Sequence, residues 1–186
     1  MSDGSPDISV ERVESFTARD LADLCDASEN AILEGGGFGW LIPPPRRIME
    51  RYWRGVLLVP ERELFVGRLG GTIAGSAQLV RPPRNNEAQS FAASTTTHFV
   101  APWARGHGLA RMLARAVEDA AREQGFSALN LDVRATQDAA IAAYESLGYV
   151  RWGTNPSYAI ADGKLIAGYY YTKALATLPE PDGDAS

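Results

Sequence analysis

The chain has 186 residues, of which 45% are hydrophobic and 22% charged, and its formal net charge is −5 at pH 7. This composition is typical of one globular domain, and the acidic balance argues against nucleic-acid binding, which requires a clustered basic face. The single cysteine, Cys25, excludes an internal disulfide. With no signal peptide and no long apolar run, we predict a cytoplasmic protein with no membrane segment and no metal site.

Signals for helices, strands and turns follow one another along the chain. Hydrophobic residues recur at helical spacing after Thr17, which begins a capping-box pattern, and again before Gly125, a typical helix C-cap. The pair Gly70-Gly71 indicates a tight hairpin, and Gly75 indicates a bulge or a close approach of two backbones. We predict a helix from Thr17 to the glycines at 35–37, helices over 47–57, 108–124 and 138–146, and strands over 8–13, 64–69, 72–80, 91–100, 129–133, 149–153 and 165–173.

These elements are expected to form one domain over residues 8–176, with a flexible tail at 1–7 and a disordered tail at 177–186. The helix over 108–124 is amphipathic, and its charged residues, among them Glu118, are expected to face water. Cys25 falls on the apolar face of the first helix, so we interpret it as a core residue without a catalytic role.

The stretch from Val100 to Ala110 joins an apolar strand end to the start of this amphipathic helix through a proline and a glycine-rich turn. Backbone N–H groups at a helix N-terminus and the helix dipole favour an anion, and a phosphate is the natural ligand. Arg105 adds a fixed positive charge. Two alternatives stay open: an ordinary strand-to-helix connection, and a dinucleotide loop of the Rossmann kind in which Asp132 would bind a ribose.

Two segments resemble those of the GNAT superfamily of N-acetyltransferases. Arg105, Gly108 and Ala110 fit the Arg-x-x-Gly-x-Gly/Ala pattern of its pyrophosphate loop, and residues 139–149 fit its Ala-x-x-x-Tyr-x-x-x-Gly-Tyr/Phe segment. Softer similarities over 52–175 point to the tabtoxin-resistance type of small-molecule acetyltransferase. The resemblance implies an α/β GNAT fold, in which a mixed, mostly antiparallel twisted sheet is flanked by about four helices and splays apart to hold acetyl-CoA.

The resemblance also implies the reaction. An acetyl group would move from acetyl-CoA to a primary amine of a small molecule by direct attack, with Tyr144 as the general acid. The position where many members carry a glutamate base is occupied by Ser94, so His98 and Asp132 are the remaining candidate bases. Two other functions stay open, a catalytically weak acyl-CoA-binding module and a nucleotide-binding regulatory domain.

Several residues are assigned to binding through the same resemblance. Gln137 stands where the family commonly has asparagine, so its contact with the pantetheine arm requires a shifted backbone. The loop of Phe38, Gly39 and Trp40 is expected to line the acceptor pocket, the alternative being that these aromatics close the end of the core. A monomer or a homodimer is expected. The residues assigned to cofactor binding are His98, Phe99, Val100, Arg105, Gly106, His107, Gly108, Leu109, Ala110, Gln137, Ala140 and Tyr144.

Overall fold

The computed structural model describes residues 7–36 and 38–179, and in these residues a seven-stranded sheet is flanked by four α-helices. The strand order across the sheet is β1-β2-β3-β4-β5-β7-β6, and β4 and β5 form the one parallel pair among the described strands. This arrangement confirms the predicted fold class, and the Rossmann alternative is wrong because that fold requires a mostly parallel sheet. In chain order the elements are β1 Ile8–Val13, α1 Ala18–Leu33, α2 Arg46–Val56, β2 Arg62–Leu69, β3 Thr72–Val80, β4 Ala92–Val100, α3 Leu109–Glu123, β5 Ala128–Arg134, α4 Asp138–Ser146, β6 Val150–Ala161 and β7 Lys164–Ala174.

The largest difference between predicted and observed elements is the length of β6, which continues to Ala161 instead of ending at Gly153. Asn155 and Pro156 are turn-type residues, yet the strand passes through them with a register shift between Asn155 and Ala159. Pro156 lies within this shift, where it has no partner on β7, and β6 is the edge strand, so the missing N–H of the proline costs no ladder hydrogen bond. The predicted tails lie outside the described residues, apart from Asp7 and residues 177–179.

Two hydrophobic cores lie on opposite faces of the sheet. Successive side chains of a strand point to opposite faces, and in β2 the side chain of Phe65 belongs to the core under α3, whereas that of Val66 belongs to the core under α1 and α2. Cys25 is fully buried in the second core, which confirms its interpretation as a core residue.

Glu118 on α3 is buried, so the prediction that it faces water is wrong. Only 4% of its side chain is exposed, and it accepts a hydrogen bond of 2.6 Å from Nζ of Lys173 on β7. Arg122, one turn further along α3, lies 3.5 Å from the same carboxylate. The prediction failed because the helical spacing within α3 gives no information about Lys173, which lies on a strand 55 residues away and supplies the positive charge.

The sheet splays apart between β4 and β5. Among the described residues these strands pair at three positions, which join residues 92–94 to residues 128–130. Beyond that point β4 continues along β3 as far as Val100, and β5 continues along β7 as far as Arg134. The resulting gap is the splay that the resemblance to the GNAT superfamily implies.

A β-bulge in β4 lies beside this gap. Phe99 pairs with Ser76 and Thr96 pairs with Gln78, so Thr97 and His98 together face one residue of β3. Thr97 has a φ of +49°, and its carbonyl oxygen accepts a hydrogen bond of 3.2 Å from Oγ of Ser76. A bulge shifts the alternation of side chains along a strand, and here it determines the direction of the His98 ring.

Gly75 permits the close approach of β3 to this bulge. A Cβ atom at Gly75 would overlap the carbonyl oxygen of Phe99. Because this oxygen is a backbone atom, a change of side-chain rotamer cannot relieve the overlap. We expect Gly75→Ala to lower the free energy of unfolding by about 2–4 kcal/mol. The matched control is Gly55→Ala, because a Cβ there meets nothing within 4 Å and should stabilise helix α2 slightly. Denaturant unfolding measures both changes, and equal stabilities of the two variants would contradict this account.

Candidate active site

A cavity of about 720 Å³ opens where β4 and β5 diverge. Its walls come from both strands, from the start of α4, from the loop after α1 and from β6. The structure thus brings together segments that are far apart in the chain, the loop of Phe38, Gly39 and Trp40, here called the aromatic loop, and helix α4. The predicted site residues that line it are Phe38, Gly39, Trp40, His98, Asp132, Gln137, Ala140 and Tyr144.

His98 and Tyr144 are in direct contact in this cavity. Nδ1 of His98 lies 2.6 Å from the Tyr144 hydroxyl, and Nε2 lies 3.0 Å from the carbonyl oxygen of Ala110 in the first turn of α3. A carbonyl oxygen can only accept, so Nε2 carries the imidazole proton. Nδ1 is therefore the acceptor, and the Tyr144 hydroxyl donates to it.

Burial shifts the pKa values of both groups. Desolvation lowers the pKa of His98 from 6.5 to about 4, although the hydrogen bond to Ala110 opposes this change. Desolvation raises the pKa of the Tyr144 phenol, and the negative charge of Asp132 raises it further. At neutral pH the pair therefore consists of a neutral imidazole and a neutral phenol that retains its proton.

This shift has a consequence for acid stability. His98 has a lower pKa in the folded chain than in the unfolded one, so the unfolded chain binds the extra proton between about pH 6.5 and pH 4. The free energy of unfolding should fall as the pH is lowered through this window, by about 3 kcal/mol from this group. His98→Gln stays uncharged and should lose this component. Urea unfolding of both proteins at several pH values measures it, and parallel curves would contradict the assignment.

Asp132 lies in the floor of the cavity and accepts a hydrogen bond from the hydroxyl of Tyr158 on β6. The Tyr158 ring covers Gly168 on the neighbouring strand, where any Cβ atom would collide with it. Sequence analysis did not find Tyr158, because its segment was not recognised as a strand. The available signal was Gly168, the one glycine in the strand-forming run over 165–173. A glycine inside a strand indicates that a bulky side chain can pack against the backbone there.

Two long side chains attach the aromatic loop to the cavity wall. Arg134, at the end of β5, donates a hydrogen bond to the carbonyl oxygen of Phe38. The amide nitrogen of Gln137 donates to the carbonyl oxygen of Gly35 at 2.5 Å. Gln137 therefore uses its amide nitrogen within the protein, and its side-chain oxygen is the atom left for a ligand. Arg134 was missed by sequence analysis.

The aromatic loop belongs both to the cavity and to the core. Phe38 is 7% exposed and packs against Phe99 at a centroid distance of 4.9 Å, so part of its role is to close the core. Trp40 stacks on Phe38 at 6.0 Å and meets the ring of Tyr52 edge-on at 5.1 Å. Tyr52 lies within 3.3 Å of the Thr97 hydroxyl in the bulge. The loop therefore closes the end of the core and also lines the cavity, so its two interpretations, as a pocket wall and as a core plug, are compatible.

The glycine-rich turn lies outside the cavity lining, at the N-terminus of α3. Gly106 and Gly108 have φ values of +85° and +81°, and a Cβ at either position would meet nothing within 4 Å. Among the described residues, no backbone N–H from Gly106 to Ala110 donates a hydrogen bond. These N–H groups and the dipole of α3 fit a diphosphate. Arg105 is half-exposed, 3.6 Å from the carboxylate of Glu34.

The side chains of Leu109 and Phe99 are buried in the two cores. Leu109 is 1% exposed and packs so closely on Gly67 that a Cβ there would lie 2.7 Å from its Cδ1 atom. Phe99 is buried in the core under α1 and α2. Both can contact a cofactor only through the backbone, whereas the His107 side chain is exposed.

Within residues 7–36 and 38–179, no helix combines the length and the apolar character that a membrane crossing requires. The same residues contain no group of three or more histidine, cysteine, aspartate or glutamate side chains placed to hold a metal ion.

The model of the "Acetyltransferase (GNAT) family" matches residues 25–149, well over half of the chain. The chain belongs to the GNAT family. This GNAT protein is 67% identical, over 131 residues, to an uncharacterized N-acetyltransferase from the hisH-hisA intergenic region of Azospirillum brasilense. That match covers 70% of this chain and 78% of the relative. The predicted family and enzyme class are confirmed: the GNAT chain is an acetyl-CoA-dependent acyltransferase.

Solved structures show the same fold at low sequence identity. An N-acetyltransferase from Staphylococcus aureus Mu50 superimposes with a TM-score of 0.77 at 17% identity, over 91% of this chain and 99% of that one. The structure of yncA from Salmonella typhimurium, solved with its cofactor acetyl-CoA, gives a TM-score of 0.75 at 17% identity, over 95% and 98% of the two chains. At such identities the likeness establishes the GNAT fold alone.

Proposed function

We propose that this GNAT protein acetylates the primary amine of a small molecule by direct attack on acetyl-CoA, with Tyr144 as the general acid. The observation that carries the proposal is the cavity of about 720 Å³ at the splay, which is lined by Tyr144, by the diverging ends of β4 and β5 and by the aromatic loop. This volume is typical of pockets that enclose a small ligand. Acetyl transfer by the family is established, so the acceptor and the residue roles are the new elements.

Acetyl-CoA supplies the thioester, and the chain supplies the means to hold it. The free N–H groups from Gly106 to Ala110 bind the diphosphate, and the half-exposed Arg105 beside them supplies a positive charge. Beyond Ser94, the edge of β4 that faces the gap has no β5 partner, so the backbone from His98 to Val100 is available to the pantetheine arm. A backbone N–H in this segment stabilises the developing oxyanion. The amide oxygen of Gln137 and the small side chain of Ala140 complete the contact.

The amine nitrogen forms a bond to the carbonyl carbon, the carbon–sulfur bond breaks, and the Tyr144 O–H gives its proton to the sulfur. The acceptor binds as an ammonium, so its nitrogen loses one proton before the attack and a second after the new bond has formed, each to Asp132 or to a water molecule beside it. Asp132 releases its proton to water and the Tyr144 phenolate regains one from water, so the enzyme ends unchanged and one proton is left in solution. His98, the other candidate base, holds a proton on Nε2 and accepts the Tyr144 hydrogen bond on Nδ1, and burial lowers its pKa, so it is a poor acceptor for a proton from the amine.

The acceptor enters between the aromatic loop and β6. Phe38 and Trp40 supply an apolar wall, and Tyr158 and Ile160 supply the opposite one. The Asp132 carboxylate at the floor attracts an ammonium group. An amphipathic amine with a small apolar body fits this combination, because its cationic end and its body meet matching surfaces.

Release of free thiol from acetyl-CoA with a panel of acceptors tests the proposal. The panel contains small aromatic and aliphatic amines, and peptides with a free N-terminus. We expect turnover with small apolar amines and little with peptides, and the reverse order would overturn the small-molecule assignment.

Trp40→Ala should raise KM for the amine and leave KM for acetyl-CoA within about twofold. Calorimetry with CoA, NAD and ATP should show binding of CoA alone.

A further inference from the structure

The contact between His98 and Tyr144 joins two segments that are 46 residues apart. Their rings meet edge-on with a centroid distance of 5.4 Å. Tyr144 is 5% exposed, and the His98 nitrogen is the one hydrogen-bond partner that the structure gives to its hydroxyl among the described residues. The direction of the Tyr144 O–H bond in the free enzyme is therefore determined by His98.

The imidazole is itself held at its other nitrogen. The Nε2–H donates to the carbonyl oxygen of Ala110 at 3.0 Å, and this hydrogen bond selects the tautomer that leaves Nδ1 as an acceptor. Ala110 is in the first turn of α3, the helix whose N-terminal N–H groups face the proposed diphosphate site. A chain of two hydrogen bonds thus connects that helix turn to the Tyr144 hydroxyl.

We propose that His98 is a positioning residue, which holds the Tyr144 hydroxyl in place through Nδ1 and anchors it to the first turn of α3 through Nε2. The proposal rests on the proposed role of Tyr144 as general acid. His98 takes no proton from the substrate. Before the reaction the Tyr144 hydroxyl donates its hydrogen bond to the neutral Nδ1 of His98. As negative charge develops on the sulfur, the hydroxyl donates to the sulfur instead, since a charged acceptor forms the stronger hydrogen bond.

The bulge in β4 explains why His98 can do this. Thr97 and His98 share one position opposite β3, and Ser76 fixes the bulge through the carbonyl oxygen of Thr97. A regular strand would turn the side chain of His98 to the other face of the sheet. The bulge therefore places the His98 imidazole between α3 and α4, where it contacts Ala110 and Tyr144.

Nitrogen-15 NMR of the folded protein tests the contact without any use of activity. The chain has two histidines, so His107→Gln assigns the two sets of imidazole signals. We expect His98 in the Nε2–H tautomer at pH 7, and we expect Tyr144→Phe to shift its Nδ1 resonance in the direction of a nitrogen that has lost a hydrogen bond. A protonated Nδ1, or an Nδ1 signal that Tyr144→Phe leaves unchanged, would overturn the proposal.

Two substitutions separate the two ends of the imidazole. His98→Asn retains an acceptor near the Nδ1 position, and His98→Gln retains a donor near the Nε2 position. If His98 positions the Tyr144 hydroxyl, His98→Gln lowers kcat about 10- to 100-fold with KM for acetyl-CoA within about threefold, and His98→Asn recovers a substantial part of kcat. Equal losses in both variants, or a loss expressed in KM alone, would contradict a positioning role.

A double variant distinguishes positioning from base catalysis. In a Tyr144→Phe background there is no hydroxyl to position, so His98→Gln should cause no further loss of kcat. If His98 were a base, the two losses would multiply, and the proposal would be wrong. If Tyr144→Phe alone kept full activity, the proposed acid role would fail, while the NMR result would still decide whether His98 holds the hydroxyl.

Discussion

Gly108→Glu is expected to abolish CoA binding while the protein remains folded. The glutamate side chain would begin at the N-terminus of α3, among the N–H groups proposed to bind the diphosphate. Two like charges about 4 Å apart near a protein surface repel by about 4 kcal/mol, which corresponds to about a thousandfold loss of affinity. The positive φ of +81° at this position adds about 1–2 kcal/mol of backbone strain.

The matched control is Gly125→Glu at the other end of the same helix. Gly125 has a φ of +83° and equally open surroundings, so the substitution brings the same strain and charge, roughly 25 Å from the turn. Calorimetric titration with CoA should show binding for Gly125→Glu and none for Gly108→Glu, with both proteins folded by circular dichroism. Near-normal CoA affinity in Gly108→Glu would refute the assignment of the turn.

Tyr144→Phe is expected to lower kcat by about 100-fold or more, with little change in KM for acetyl-CoA. Loss of a positioned general acid typically costs a factor of 10² to 10⁴. The phenylalanine ring fills the same buried space, so packing against Tyr149 should persist. The effect should therefore fall on the chemical step, which steady-state kinetics with the preferred amine measures.

Tyr149→Phe is the control for this experiment. Tyr149 is 4% exposed and lies edge-on to Tyr144 at 5.4 Å, but it is not part of the cavity lining. Removal of its hydroxyl should leave kcat within about threefold. If Tyr144→Phe kept full turnover, Tyr144 would have no part in the mechanism. If both variants lost activity equally, the cause would be packing rather than proton transfer.

The sequence alone determined the features that depend on neighbouring residues. The hairpin at Gly70-Gly71, with φ values of +58° and +82°, is read from two adjacent glycines. The turn before α3 and the helix that carries Tyr144 are likewise read from short patterns, and these patterns led to the family. Each such signal acts over a few residues, because turn geometry, capping and helical spacing are local properties of the backbone.

The tertiary structure decided which distant residues meet. The contact of His98 with Tyr144 depends on a bulge in β4, and the contact of Asp132 with Tyr158 depends on a register shift in β6. Arg134 reaches a carbonyl 96 residues away, on the loop after α1. A shift of one residue in strand register moves a side chain to the other face of the sheet. Spacing along the chain does not specify such shifts, since they result from the packing of whole strands and helices against one another.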